Sequence, residues 1–144
     1  MKNITLLIII ITILNGCQKF ESLEIKVEGN KIVFTKVDII EECTKGVYIF
    51  DYGIEYVSGS SRVIAWSIAR GFDSEYLGSL TELPFSYGEA FKGIETRSKA
   101  IIMQSGVYNY GGTLACLSSN SEKSISVSGS FTIEVNNGII RLVQ

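Results

Sequence analysis

The side chains able to do chemistry in this chain are three cysteines and a scatter of carboxylates. Cys17 ends the run Leu14-Asn15-Gly16-Cys17, directly behind an apolar stretch from Ile4 to Leu14. A thiol placed there is a site for acylation, because a basic start (Lys2), a short apolar core and a small residue before the cut are the marks of an export signal. Cys43 and Cys116 remain as a pair. In an oxidising compartment two such thiols are expected to join. The bridge would close a long loop and contribute on the order of 4 kcal/mol in the chain-entropy picture. The alternative is two buried free thiols.

Other chemistries are poorly supported. The chain has no His, which removes Ser-His-Asp and Cys-His nucleophile systems and His-based zinc sites. Glu41, Glu42, Asp51, Glu55, Asp73, Glu75, Glu82 and Glu89 are available, but no spacing selects two that would face each other across a sugar. Asp73-Ser74-Glu75 lacks the alternating oxygen ligands and the Gly of a calcium loop. No phosphate loop, metal cluster or nucleophile motif occurs. The carboxylates read as solvated surface charge, and the expectation is a non-enzymatic protein without cofactor or metal.

These residues need a frame. Of the 144 residues, 1–16 read as a leader, 17–22 as a lipidated Cys and short tether, and 23–144 as one domain with a real core. Leu-x-Gly-Cys has the form of a bacterial lipobox, with palmitate or a similar acyl chain on Cys17. Ile4–Leu14 is shorter than the roughly 20 apolar residues of a membrane span and contains Thr5 and Thr12. Each buried CH₂ adds about 0.8 kcal/mol, so one chain holds weakly and two or three make release negligible. In Gram-negative lipoproteins, Gln rather than Asp after the Cys, as at Gln18, implies sorting to the outer membrane facing the periplasm. A net charge of −2 without a basic patch gives no footprint for nucleic acid.

The domain's dominant period is two. Leu23, Ile25 and Val27 alternate with charges, Gly29-Asn30 is a two-residue turn, and Ile32 and Phe34 share the face of the returning strand, a β-hairpin signal. Val37–Lys45 is an irregular connection carrying Cys43. A long strand from Gly46 to Val57 is expected to place Tyr48, Phe50, Tyr52, Ile54 and Tyr56 on one core face, with Asp51 and Glu55 opposite. Arg62–Ala69 follows with Ile64, Trp66 and Ile68 on one face. Regularity returns at Ala100–Met103, then Val107–Leu117 with Cys116. The next strand carries Ile125, Val127, Phe131, Ile133 and Val135, with a change of face and a bulge expected near Gly129. Asn136-Asn137-Gly138 turns the chain into Ile139–Val143. Met103-Gln104-Ser105-Gly106-Val107-Tyr108 has the spacing of a tyrosine corner. The whole predicts an all-β, antiparallel, immunoglobulin-like sandwich with one long loop segment.

That segment, Arg70–Lys99, has poor periodicity, with a short strand expected at Ser79–Leu83 and a helical turn within Glu89–Arg97. It is rich in aromatics: Phe72, Tyr76, Phe85, Tyr87 and Phe91. Aromatics bring large contact area with few rotors, so these five are the sequence's candidates for partner contact. The competing reading is that they cap one end of the sandwich.

Several of these features together resemble a family of small envelope lipoproteins that act as type VI secretion immunity proteins. They are the lipobox, the strand Val27-Glu28-Gly29-Asn30-Lys31-Ile32-Val33-Phe34, the Trp66 strand, Pro84-Phe85-Ser86-Tyr87-Gly88 with Gly93, and Gly106-Val107-Tyr108. The resemblance implies a non-enzymatic protein that binds and neutralises an incoming toxin effector in the periplasm. Two other classes fit the residues: a structural or assembly lipoprotein of the outer membrane, and an envelope module for small ligands or glycans.

Overall fold

The computed structural model describes residues 20–35, 43–70, 83–91 and 93–143. Among the described residues nine strands form two antiparallel sheets packed face to face. The smaller has the order β1-β2-β5, built from β1 (Glu24–Glu28), β2 (Lys31–Thr35) and β5 (Phe85–Ser86). The larger has the order β6-β4-β3-β7-β8-β9. Its strands are β3 (Gly46–Ser58), β4 (Ser61–Arg70), β6 (Ile94–Ser98), β7 (Gly106–Leu117), β8 (Glu122–Asn136) and β9 (Ile139–Val143). The pairings β2–β5 and β3–β7 step over intervening strands in Greek-key fashion. The chain is thus a β-sandwich with immunoglobulin-like connections.

Both outer hairpins turn on two residues at positive φ, Gly29-Asn30 and Asn137-Gly138, the backbone that matches strand twist in a two-residue loop. Asn30 does more than turn the chain. Its side-chain amide donates to the Gly138 carbonyl (2.7 Å) and accepts from the Ile140 N–H (2.7 Å), so it imitates a strand residue and ties the first hairpin to the last. A second tie lies at Glu21. Its N–H donates to the Ser126 carbonyl and its carbonyl accepts from the Ser128 N–H, each at 2.9 Å, which makes a parallel bridge on β8.

The core between the sheets is aromatic. Phe34 is fully buried, with ring centroids 5.2 Å from Phe85, 5.4 Å from Tyr52, 5.9 Å from Tyr110 and 6.0 Å from Phe131. Trp66 is also fully buried, as expected for the single Trp. Two polar atoms, Tyr52 Oη and Trp66 Nε1, are buried without a hydrogen-bond partner among the described residues. Tyr110 is better served, since its hydroxyl accepts from the Leu23 N–H at 2.9 Å.

Three sequence expectations fail here, each for a local reason. Phe50 is not on the core face. It is the extra residue of a bulge in β3 opposite β7, so Val47 and Ile49 point inward before it and Tyr52 and Ile54 after it, while Phe50 is 47 % exposed. Ile64 is also outside, 55 % exposed, because Ala65 is the extra residue of a bulge in β4. The bulge expected at Gly129 is absent. β8 pairs with β7 without a register shift, and Ile125, Val127, Phe131 and Ile133 all face inward. Gly129 belongs to that same face, and a Cβ there would lie 2.4 Å from Tyr110 Oη. It is glycine because the Tyr110 ring lies on it.

The tyrosine corner is present. The Tyr108 hydroxyl donates to the Gln104 carbonyl at 2.9 Å and accepts from the Gln104 N–H at 3.1 Å. Tyr108→Phe removes the hydroxyl that partners both the N–H and the carbonyl of Gln104. The expected cost is about 1–3 kcal/mol, measurable as a lower urea midpoint with unchanged slope. A change within a few tenths would show that the corner carries no stability.

The cysteines are joined. Cys43 and Cys116 form a disulfide with Cα atoms 5.1 Å apart. It links the entry of β3 to the end of β7, neighbours in one sheet, whereas the antibody-domain bridge crosses between sheets.

Candidate functional site

The aromatic segment expected to bind a partner divides. Phe72 and Tyr76 lie outside the described residues. Phe85 is only 1 % exposed, seated in β5 against Phe34, so it offers no surface to a partner. Tyr87 donates its hydroxyl toward the Ala65 carbonyl (2.8 Å) and the Ile101 carbonyl (3.0 Å). The bulge at Ala65 leaves that carbonyl outside the β3–β4 ladder, and the Ile101 N–H reaches it too, at 3.0 Å. Burial pushes the Tyr87 pKa up to about 12, against a smaller opposing effect of its bond to Ile101. The group therefore stays a protonated donor through the neutral range. Phe91 packs on the core cluster beside Phe85. Phe85 is part of the core, and Tyr87 and Phe91 pack against it.

The expected regularity of Glu89–Arg97 is also different. Ile94–Ser98 is not helical but a strand, β6, at the edge of the large sheet. Ala100–Met103 is irregular, not a strand, though Met103 is buried. The short strand expected at Ser79–Leu83 falls almost wholly outside the described residues.

With those aromatics accounted for, the open feature is the outer face of the large sheet. Ser67, Gly53, Gly111 and Ser128 are register partners in turn across β4, β3, β7 and β8. Strands lie about 4.8 Å apart, so this row of small residues spans about 14 Å. Its Ser67, Gly53 and Gly111 floor a shallow trough of about 380 Å³. On one side stand Asp51 and Thr113, on the other Glu55, Asn109 and Ile64. Glu55 pairs with Arg62 at 3.6 Å. Asp51 Oδ1 accepts from the Thr113 N–H at 2.7 Å, a donor that the Phe50 bulge leaves beside it.

The glycines of this face separate by need. Gly112 points inward, and a Cβ on it would lie 2.3 Å from the Asp51 carbonyl oxygen, so the fold requires it. Gly53 and Gly111 differ. Neither has a positive φ, and a Cβ would meet nothing closer than 3.8 Å at Gly53 and 3.7 Å at Gly111. Glycine inside a strand costs roughly 0.5–1 kcal/mol relative to a residue with a side chain. In strands such a residue often marks a place where another backbone or a ligand comes close. No signal along the chain announces this trough, because its floor joins residues from three strands.

Asp51 and Glu55 cannot act as a hydrolytic pair. Four residues apart on one strand, they are separated by about 13 Å at strand rise, beyond the roughly 5–9.5 Å of glycosidase carboxylates. Among the described residues no three of Cys, Asp and Glu converge as metal ligands. No protein-family model, curated protein or solved structure matches the chain.

Proposed function

We propose that this protein is a lipoprotein of the bacterial envelope, acylated on Cys17, whose sandwich binds and neutralises a periplasm-acting toxin delivered by type VI secretion. The anchoring half rests on Lys2, the apolar run Ile4–Leu14 and Gly16-Cys17. The disulfide between Cys43 and Cys116 fits an oxidising compartment. The binding half rests on one observation: Gly53 and Gly111 floor an open trough that the fold does not need them to make. The rim carries Glu55, Arg62 and Asn109 for polar contacts, and Ile64 supplies an exposed apolar anchor. A glycan platform fits less well, because the single Trp is fully buried. In this reading the protein acts by occlusion, with no reaction of its own.

Filling the trough tests the reading. Gly53→Arg and Gly111→Arg add bulk to the outer face, where a Cβ has room, and surface changes of this kind usually shift stability by less than about 0.5 kcal/mol. Both variants should bind the cognate toxin at least ~100-fold more weakly, a loss typical of blocking an interface centre. Calorimetry gives the affinity and a thermal melt the stability. Full protection of toxin-expressing cells by both variants would move the site elsewhere, and no protection by the wild type would end the immunity reading.

A further inference from the structure

Few residues separate Cys17 from the domain, and the direction in which the domain begins is set at Glu21. Glu21 is bonded through its backbone on both sides, to Ser126 and to Ser128. Leu23 is buried, and its N–H is held by the Tyr110 hydroxyl. The fold therefore begins at Glu21, four residues after Cys17. Four residues reach at most about 14 Å. The bridge to β8 is parallel, so the chain upstream of Glu21 leaves toward the Glu122 end of β8. That end carries the Ser118–Ser121 turn, the Cys43–Cys116 bridge, and the exposed Lys45 and Lys123. Phe20 stands at the take-off point, 57 % exposed.

We infer that the domain docks on the bilayer surface by this end, with Phe20 in the interfacial layer and Lys45 and Lys123 at the headgroups. The inference rests on acylation of Cys17 as proposed above. A tether of about 14 Å is shorter than the domain itself, since β8 alone runs 15 residues, about 50 Å at strand rise. The domain cannot tumble at that distance without its anchored end meeting lipid. Phe20 is apolar and exposed, the kind of side chain that buries at the headgroup/acyl boundary. Lys45 and Lys123 are attracted to anionic headgroups. The Glu122 carboxylate at the same end is engaged by the Tyr48 hydroxyl at 2.6 Å. The trough then lies above the membrane by about the rise from Lys123 to Ser128, roughly 17 Å, with the Asn30 and Gly138 turns pointing outward.

The test uses the full acylated protein in vesicles of phosphatidylethanolamine and phosphatidylglycerol whose headgroups carry a quencher. Fluorophores are placed on Lys123→Cys and, in a separate protein, on Ile102→Cys. Ile102 is 94 % exposed and lies beside Asn30 and Gly138 at the far end. Cys43 and Cys116 are bridged, so each introduced thiol labels cleanly. Quenching at 123 should exceed that at 102 several-fold. A flexible Gly-Ser insert between Lys19 and Phe20 should erase the difference. Equal quenching at both positions without the insert would overturn the docking while leaving the anchor intact. A wild-type mass without acyl chains, and vesicle binding unchanged by Cys17→Ser, would instead remove the anchor and the docking together.

Discussion

Replacing both Cys43 and Cys116 by Ala should lower the unfolding free energy by about 4 kcal/mol. The bridge closes 73 residues of chain, and the chain-entropy relation gives a value near that for a loop of this length. The closed loop holds β3 to β7, which is most of the large sheet. Few domains of this size have more than about 15 kcal/mol to lose, so the effect is a large fraction of the total. Urea denaturation of the double variant measures it, and the reduced wild type should match the variant. Mass spectrometry of unreduced protein should show the two peptides joined. A double variant within about 1 kcal/mol of wild type would mean that the unfolded chain is already constrained without the bridge.

The second large effect belongs to Phe34→Ala. Its ring meets rings from both sheets, and truncating a buried Phe typically costs about 3–5 kcal/mol as transfer and cavity terms add. Phe50→Ala is the control: same side chain removed, but from the exposed crest of a bulge, with an expected change under about 0.5 kcal/mol. Comparable losses at the two positions would show that the bulge assignment in β3 is wrong and that Phe50 is a core residue.

The contrast between Phe34 and Phe50 also marks what a linear reading can reach. β1 and β2 were legible because their alternation is unbroken and Gly29-Asn30 specifies the turn. Tyr108 was legible because a corner is set by spacing over a few residues. Phe50 and Ile64 were misplaced because each stands at or beside a bulge, and one extra residue reverses every later face. Gly129 was misread for the opposite reason. A glycine interrupts the visible apolar alternation, yet the alternation continues through it, with Tyr110 filling the gap from the neighbouring strand. β6 escaped notice because Ile94–Ser98, as an edge strand, carries little apolar sequence. The trough was out of reach altogether, since Ser67, Gly53 and Gly111 meet only through two strand registers.

Asn30 and Glu21 both fasten the start of the domain to residues more than a hundred positions later. A ribosome delivers the chain in the other order. The first hairpin is complete once residue 35 has emerged, yet its partners at Gly138 and Ile140 do not yet exist. Until β5 arrives, β1 and β2 are an isolated pair, and an isolated two-stranded hairpin is at best marginally stable in water. The large sheet gains β8 late as well, and β8 takes both β7 and Glu21 as neighbours. The start of the domain is thus fastened at its approach and at its first turn only when the last two strands have arrived. A chain cut short before residue 138 would lose its first strands' fastening along with its last strand, and a quality-control protease would meet an unlocked chain from both ends.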